Sequence, residues 1–272
     1  MNNQASLQEL EGLKELALAA GAAIAAKLHT VHALDPKAGT EFVTETDRRS
    51  EELVLAGLAR MFPGEAVVAE ESGDHPGEGD RTWYVDPLDG TTNFAHGYPF
   101  FCVSIGARDP LGLVLAAVCA PALNECYLAG RGLGARLLRL DTGRETALPG
   151  LQPVGITQAL LATGFPYVRD ELVARNTNLV KLFLQAPCHG VRRAGSAALD
   201  LCHVAAGRLD GYWEFRLRPW DTAAGVLVAR ECGAVVTEAG GTAEELPYGS
   251  ILAAVPGLHG QMSRIIREGT AS

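Results

Sequence analysis

The sequence is short of the features that would tie it to a membrane or to nucleic acid. No stretch of about 20 residues is free of charges or turn signals, so no spanning helix is expected. The first thirty residues set Glu9, Glu11, Lys14, Glu15 and Lys27 among Leu7, Leu10, Leu13 and Leu16, the pattern of an amphipathic helix rather than an uncharged signal core. Cations are outnumbered. With 23 Lys and Arg against 32 Asp and Glu, the net charge of −9 repels nucleic acid and anionic lipid over most of the surface. An anionic ligand must therefore be drawn in locally, by cations or backbone amides. None of the six cysteines forms a CxxC pair, and stretches such as Phe101-Cys102-Val103 read as small buried hydrophobes in a reducing compartment. Repeats and low-complexity segments are missing too. The expectation is a cytoplasmic chain with no membrane or nucleic-acid partner by default, whose 47% hydrophobic residues fill one large core or two coupled ones.

What is present falls into two rhythms. Helical patterns cover about 5 to 29 and the segment after Thr44-Glu45-Thr46-Asp47, a cluster with N-cap character. Short apolar runs follow at 66–69, 82–85, 101–107, 113–118, 125–129 and 135–140, separated by turn signals such as Asp109-Pro110-Leu111-Gly112. This half predicts helices packed on a mostly antiparallel sheet. Beyond it, strand patterns at 159–163, 211–215, 234–237 and 251–254 alternate with helical patterns at 169–184, 197–206 and 222–232, which predicts an α/β layer. The boundary is placed near 141 to 155, dividing a single compact unit into halves 1–145 and 146–272.

Three separated places set carboxylates at a strand end or helix start: Glu70-Glu71, Asp86 with Asp89, and Asp221. Singly, each is as readily a loop cap, an N-cap or a plain turn. Together they are harder to dismiss, because strand ends converge on one rim and gathered carboxylates cannot all stay ionised without a cation among them. Oxygen-only ligands select Mg²⁺ or Mn²⁺ over zinc. His29 and His32 have helical spacing but no acidic or thiolate company, and read as surface residues.

Within Trp83-Tyr84-Val85-Asp86-Pro87-Leu88-Asp89-Gly90-Thr91-Thr92-Asn93, Pro87 is expected to interrupt the regular strand, so that Asp86, Asp89 and the Leu88 carbonyl turn toward one place. Gly90 permits a tight turn, and Thr91-Thr92-Asn93 opens a short helix whose unpaired amides suit a phosphate. Metal-binding carboxylates followed directly by an anion-binding helix start describe a metal-dependent phosphate site.

Those residues resemble the inositol monophosphatase family. Residues 86–94 resemble its first signature and Trp220-Asp221-Thr222-Ala223-Ala224-Gly225 its second. Lys37, residues 43–47, Glu70-Glu71-Ser72, Gly164-Phe165-Pro166 and Gly195-Ser196-Ala197-Ala198 fall in the family's order, so that the resemblance spans about 37 to 255. It implies an α+β fold layered αβαβα, of the inositol monophosphatase and fructose bisphosphatase type. It also implies a homodimer and a phosphomonoesterase that is Mg²⁺-dependent and lithium-sensitive, with two or three ions per site. Glu70, Asp86 and the Leu88 carbonyl would hold one metal, and Asp86, Asp89 and Asp221 a second. Glu70 would also serve a third, weaker metal. Thr91 with Asp47 would orient and deprotonate the attacking water, and the Gly90 and Thr91 amides would bind phosphate oxygens beside Thr92. Lys37 would lie near the metal rim, or else be an exposed loop lysine.

The alcohol is marked less clearly. Glu214 matches the position that takes ring hydroxyls, and Gly195, Ser196 and Ala197 match the loop lining that pocket, which favours inositol 1-phosphate as the small phosphorylated substrate. After Glu214, Arg216 and Arg218 depart from the family pattern; with Arg192 and Arg193 they are surface or dimer-contact residues, or a basic rim suited to a bisphosphate such as fructose 1,6-bisphosphate. Histidinol phosphate and 3′-phosphoadenosine 5′-phosphate are further options. A non-catalytic scaffold for a protein partner is the alternative of another class; lost metal ligands would be its signature, and none is lost.

Overall fold

The computed structural model describes residues 5–28, 35–36, 42–168 and 170–270, so Lys37, His29 and His32 lie outside the described residues. The described chain opens with helix α1 (Leu7–Ala25), a short antiparallel pair β1 (Asp35–Pro36) and β2 (Phe42–Val43), and helix α2 (Glu45–Met61). Next come β3 (Ala66–Ala69), β4 (Gly73–His75), β5 (Thr82–Asp89), the single-turn α3 (Thr91–Ala95), β6 (Cys102–Asp109), β7 (Gly112–Ala120), β8 (Glu125–Gly130), β9 (Gly134–Arg139) and β10 (Glu145–Ala147). The remainder is β11 (Leu160–Thr163), α4 (Glu171–Gln185), β12 (Gly190–Arg192), α5 (Ala197–Ala205), β13 (Gly211–Phe215), α6 (Pro219–Glu231), β14 (Val235–Thr237), β15 (Ser250–Ala254) and α7 (His259–Thr270).

Strands β3 to β10 form one sheet in the order β10-β9-β8-β7-β6-β5-β3-β4, antiparallel except where β3 runs parallel to β5. The second sheet, β12-β11-β13-β15-β14, is parallel on its β12-β11-β13 side and antiparallel beyond. Alternation along the strands decides what faces what. On β5, Trp83 and Val85 join the cluster beneath α1 and α2, while Tyr84 packs against the cluster built around α5 and α6. On β13, Tyr212 faces α5 and α6, whereas Trp213 and Phe215 face α4 and α7. The layers are therefore α1/α2, first sheet, α5/α6, second sheet and α4/α7, an αβαβα sandwich whose four interlayers are filled by three apolar clusters, the one around α5 and α6 reaching both sheets.

Local sequence explains the helix starts. Ser6 and Glu9 form a reciprocal cap on α1, and Thr44 and Asp47 form one on α2. Leu10, Leu13, Leu16 and Ile24 of α1 are almost completely buried, each stabilising the fold by about 1.5–3 kcal/mol relative to exposure. No helix among the described residues is long and apolar enough to cross a membrane.

Several boundaries differ from expectation. Helix α6 starts three residues early, because Pro219 at its first turn has the fixed φ a helix accepts there, and Asp221 consequently lies inside the helix. Strand β5 runs on through Pro87 to Asp89 instead of ending at Val85. The short strands β4, β10 and β12 and helix α7 were not anticipated. Leu258, Met262, Ile265 and Ile266 carried the helical spacing of α7.

Candidate active site

The irregularity in β5 is where the site begins. Asp86 pairs with Ser104 and Asp89 with Cys102, so three steps along β5 match two along β6. A regular strand would send Asp86 and Asp89 to opposite faces. One extra residue restores them to the same face, while Leu88 turns the other way into the core beneath α1 and α2. Pro87 thus bulges the strand rather than ending it. Gly90 follows in the left-handed region (φ 94°), with a Cβ excluded by the Phe100 carbonyl oxygen 2.8 Å away, and α3 starts at Thr91.

A cavity of about 1040 Å³ opens over this bulge. Glu70, Asp86, Leu88, Asp89, Gly90, Thr91, Gly195, Ala197, Glu214 and Asp221 all line it, as do Gly164, Phe165 and Pro166. Asp47, Thr92 and Ser196 do not. Asp47 is fully buried and reaches the cavity through Thr91, whose hydroxyl lies 3.0 Å from Asp47 Oδ1 and 3.0 Å from the Leu88 carbonyl oxygen. Its other oxygen, Oδ2, accepts the Thr44 N–H at 2.8 Å and the Thr44 hydroxyl at 2.5 Å. Ser196 caps α5 from behind and donates to Asp89 Oδ2 at 2.7 Å, next to the Ala198 N–H at 2.8 Å. Thr92 is half-buried in α3, with its carbonyl accepting the His96 N–H.

The electrostatics follow from this crowding. Burial, and then the charges of Glu70, Asp89 and Asp221, push the Asp86 carboxyl well above the usual range. A hydrogen bond between the Asp86 and Glu70 side chains adds to the rise. Asp221 is raised strongly by burial and by Glu70, Asp89 and Glu214, against the opposing Arg218 N–H at 2.6 Å. Burial raises Asp89 only to about 6, because Ser196 and the α5 amides hold its charged form. Asp47 is raised by burial against its hydrogen bonds from Thr44 and Thr91.

Glu214 stands on the same face of β13 as Tyr212, whose hydroxyl donates to it at 2.5 Å. Burial lifts it to about 7; Asp89 adds to the rise, while Tyr212 and Arg193 oppose it. A Cβ on residue 164 would fall on this carboxylate, so Gly164 is what leaves room for it. Arg193, Arg216 and Arg218 line the cavity too, Arg216 at φ 65° with its guanidinium 2.6 Å from Asp170.

Four carboxylates and a main-chain carbonyl are an all-oxygen donor set, which fits a hard divalent cation and not a thiophilic one. Asp86, Asp89 and Asp221 each accept a backbone N–H, and among the described residues no three His, Cys, Asp or Glu side chains are grouped as a metal ion would need them. Asp86, which feels the charges of Glu70, Asp89 and Asp221 together, is where negative charge is least compensated.

Sequence reasoning passed over several residues here. Ser50, Glu51 and Arg48 of α2 approach the site; Ser50 and Glu51 lie three and four residues beyond Asp47, on the same helix face. Asn93 ties α3 to the loop before α5, donating to the Phe100 carbonyl at 2.6 Å and the Ala194 carbonyl at 2.9 Å. The contacts of Asn93 run between distant segments, so no local pattern could announce them.

Fold and site together define an αβαβα protein with a carboxylate-walled cavity set against helix N-termini. Its sequence matches the model of the inositol monophosphatase family over residues 6–270, and the chain belongs to that family. Among its relatives, the inositol-1-monophosphatase of Synechocystis sp. is 40% identical over 261 residues, covering 94% of this chain and 88% of that protein. A putative Nus factor SuhB of Neisseria meningitidis serogroup B is 40% identical over 233 residues, covering 85% and 87%. The inositol monophosphatase structure from Anabaena (Nostoc) sp. PCC 7120 superposes with a TM-score of 0.84 at 37% identity, covering 96% of each chain. The family is generally metal-dependent.

Proposed function

We propose that the protein is a Mg²⁺-dependent phosphomonoesterase acting on a small polyol phosphate, first of all inositol 1-phosphate. One observation carries this reading: Glu70, Asp86, Asp89, Asp221 and the Leu88 carbonyl surround the same cavity as the Thr91–Asp47 pair and Glu214. In this reading those five oxygen donors hold two or three Mg²⁺ ions, or Mn²⁺. The bound cations supply positive charge against the phosphate oxygens and make water more acidic.

The protein's own groups do the remainder. Gly90 and Thr91 amides bind phosphate oxygens next to Thr92. The Thr91 hydroxyl takes a proton from the attacking water as it passes its own to Asp47, whose raised pKa suits it to receive one. Glu214 accepts the hydroxyls of the alcohol, with Gly195, Ser196 and Ala197 shaping that wall. Glu70, besides holding metal, crowds Asp86 and keeps the rim negative. Cytoplasmic location, a homodimer and lithium sensitivity belong to the same reading.

The test is phosphate release from a panel: inositol 1-phosphate, fructose 1,6-bisphosphate, histidinol phosphate and 3′-phosphoadenosine 5′-phosphate, each with Mg²⁺ and with EDTA. Inositol 1-phosphate is expected to be hydrolysed fastest, with EDTA abolishing turnover. Faster turnover of the bisphosphate would replace this reading with one in which Arg193, Arg216 and Arg218 receive a second phosphate. A second role as a protein partner is supported by the Nus factor names of several relatives, and it would persist when Asp89→Asn abolishes hydrolysis.

A further inference from the structure

Two neighbouring residues of α2 touch neither phosphate nor water in the reading above, yet they reach both loops that carry the carboxylates. Ser50 is fully buried and donates its hydroxyl to the Pro87 carbonyl at 2.8 Å, inside the β5 bulge. Glu51 is 4% exposed. Its Oε2 accepts the Glu71 N–H and its Oε1 the Ser72 N–H, both at 2.9 Å. One turn of one helix therefore grips the turn after β3, which bears Glu70, and the bulge that bears Asp86, Leu88 and Asp89.

Resting on the functional reading above, we propose that Ser50 and Glu51 are positioning residues that set the distance between Glu70 and the Asp86–Asp89 bulge, and so preset the cavity for a divalent cation. Like charges make such a brace necessary. Glu70 and Asp86 line one cavity, and without a fixed frame the repulsion of two carboxylates would spread the two loops. The fork of Glu51 is suited to the task, because two adjacent N–H groups need two acceptor oxygens. Glutamine offers one oxygen and one NH₂, which would face an N–H with another donor. Both Glu51 oxygens are engaged by the backbone, so its contribution runs through Glu70 rather than through direct ligation.

The test measures Mg²⁺ and Mn²⁺ binding by calorimetry without substrate, alongside phosphate release. Glu51→Gln is expected to weaken cation binding by about 10–100-fold, the range for partners that orient metal ligands. Its kcat should return toward the wild-type value once Mg²⁺ is saturating. Ser50→Ala removes one neutral hydrogen bond and should weaken binding by about 2–10-fold. Glu52→Gln removes an equal charge from the same rim but from an exposed side chain 3.6 Å from Arg49, and should change binding by less than about twofold.

Unchanged cation affinity in Glu51→Gln, or an equal loss in Glu52→Gln, would overturn the brace. So would a lower melting temperature with intact affinity, since that is what a merely structural residue gives. If Glu51→Gln fails to fold, Ser50→Ala decides the matter alone, unchanged affinity refuting the proposal. A wild-type protein that binds no divalent cation would instead sink the functional reading, and this inference with it.

Discussion

Replacing Thr91 by alanine removes its hydroxyl together with one methyl group, and should separate rate from stability. The Thr91 hydroxyl lies 3.0 Å from Asp47 Oδ1, and it is the buried carboxylate's route to the cavity. A positioned proton acceptor contributes about 10²–10⁴-fold, or about 3–5 kcal/mol of barrier. The folded state loses less: Asp47 Oδ1 is left without that donor, at about 1–3 kcal/mol, while Thr44 still holds Oδ2 and the start of α2. At about 2–4 °C per kcal/mol the melting temperature should fall by several degrees, leaving the protein folded under assay. Phosphate release at saturating Mg²⁺ and substrate, paired with calorimetric melting, reads both quantities. Thr91→Ser should recover most of the rate. Asp47→Asn should lose about as much as Thr91→Ala, and the double variant hardly more, because the two act as one unit. Retention by Thr91→Ala of more than about a tenth of wild-type kcat, or additive losses in the double variant, would refute the proton route.

Two further outcomes follow from the titrating groups. Glu214, raised to about 7 by burial, accepts hydroxyl hydrogen bonds best as a carboxylate, so KM for the polyol ester should rise as pH falls below about 7. Glu214→Gln should raise KM more than it lowers kcat and flatten that limb, and an unchanged pH profile in this variant would count against the assignment. Asp86, Asp89 and Asp221 have folded-state pKa values raised above their unfolded ones, so in EDTA their contribution to stability is present at low pH and lost as pH rises through the folded values. A cation replaces those protons, and the increase in melting temperature on adding Mg²⁺ should therefore grow from pH 5.5 to pH 8, about Asp89's value of 6 and beyond. Taking the difference with and without Mg²⁺ cancels the opposite trend of half-buried His203 and His259, whose lowered pKa values make the fold more stable as pH rises. An increment that is flat or falls with pH would contradict a cation among these carboxylates.

The layered fold was legible where one residue pattern served one role. Short apolar runs between turn signals marked β5, β6, β7 and β13, and the polar cluster at 44–47 marked the cap of α2. Boundaries failed where a proline carries two meanings. Pro87 reads as a strand breaker but is carried in a bulge, and Pro219 stands before the expected helix start at 222 but is the helix's first residue. The carboxylates that the structure brings to one cavity could be picked out because each sits at a strand end or helix start. The brace from Ser50 and Glu51 could not, because both partners are backbone groups of other segments. A buried glutamate in a helix that reads Arg48-Arg49-Ser50-Glu51-Glu52 gives no local sign of which residue is turned inward.

So many acids in one place persist because the fold gives each a different share of compensation. Asp47 and Asp221 lie in the first turns of α2 and α6, and Asp89 accepts from the first turn of α5, so each meets the positive end of a helix. The compensation is unequal, and its order is informative. Asp89 has a hydroxyl and the α5 amides and rises only to about 6. Asp86 has one backbone N–H, from Leu88 at 3.0 Å, and otherwise faces other carboxylates, so it rises much further. Helix termini and amides thus stabilise the periphery of the cluster, while its centre, between Asp86 and Glu70, is left to a proton or to a cation. Competition at that centre makes metal affinity depend on pH and on the spacing that Ser50 and Glu51 impose, so proton, cation and backbone brace act on the same pair of oxygens.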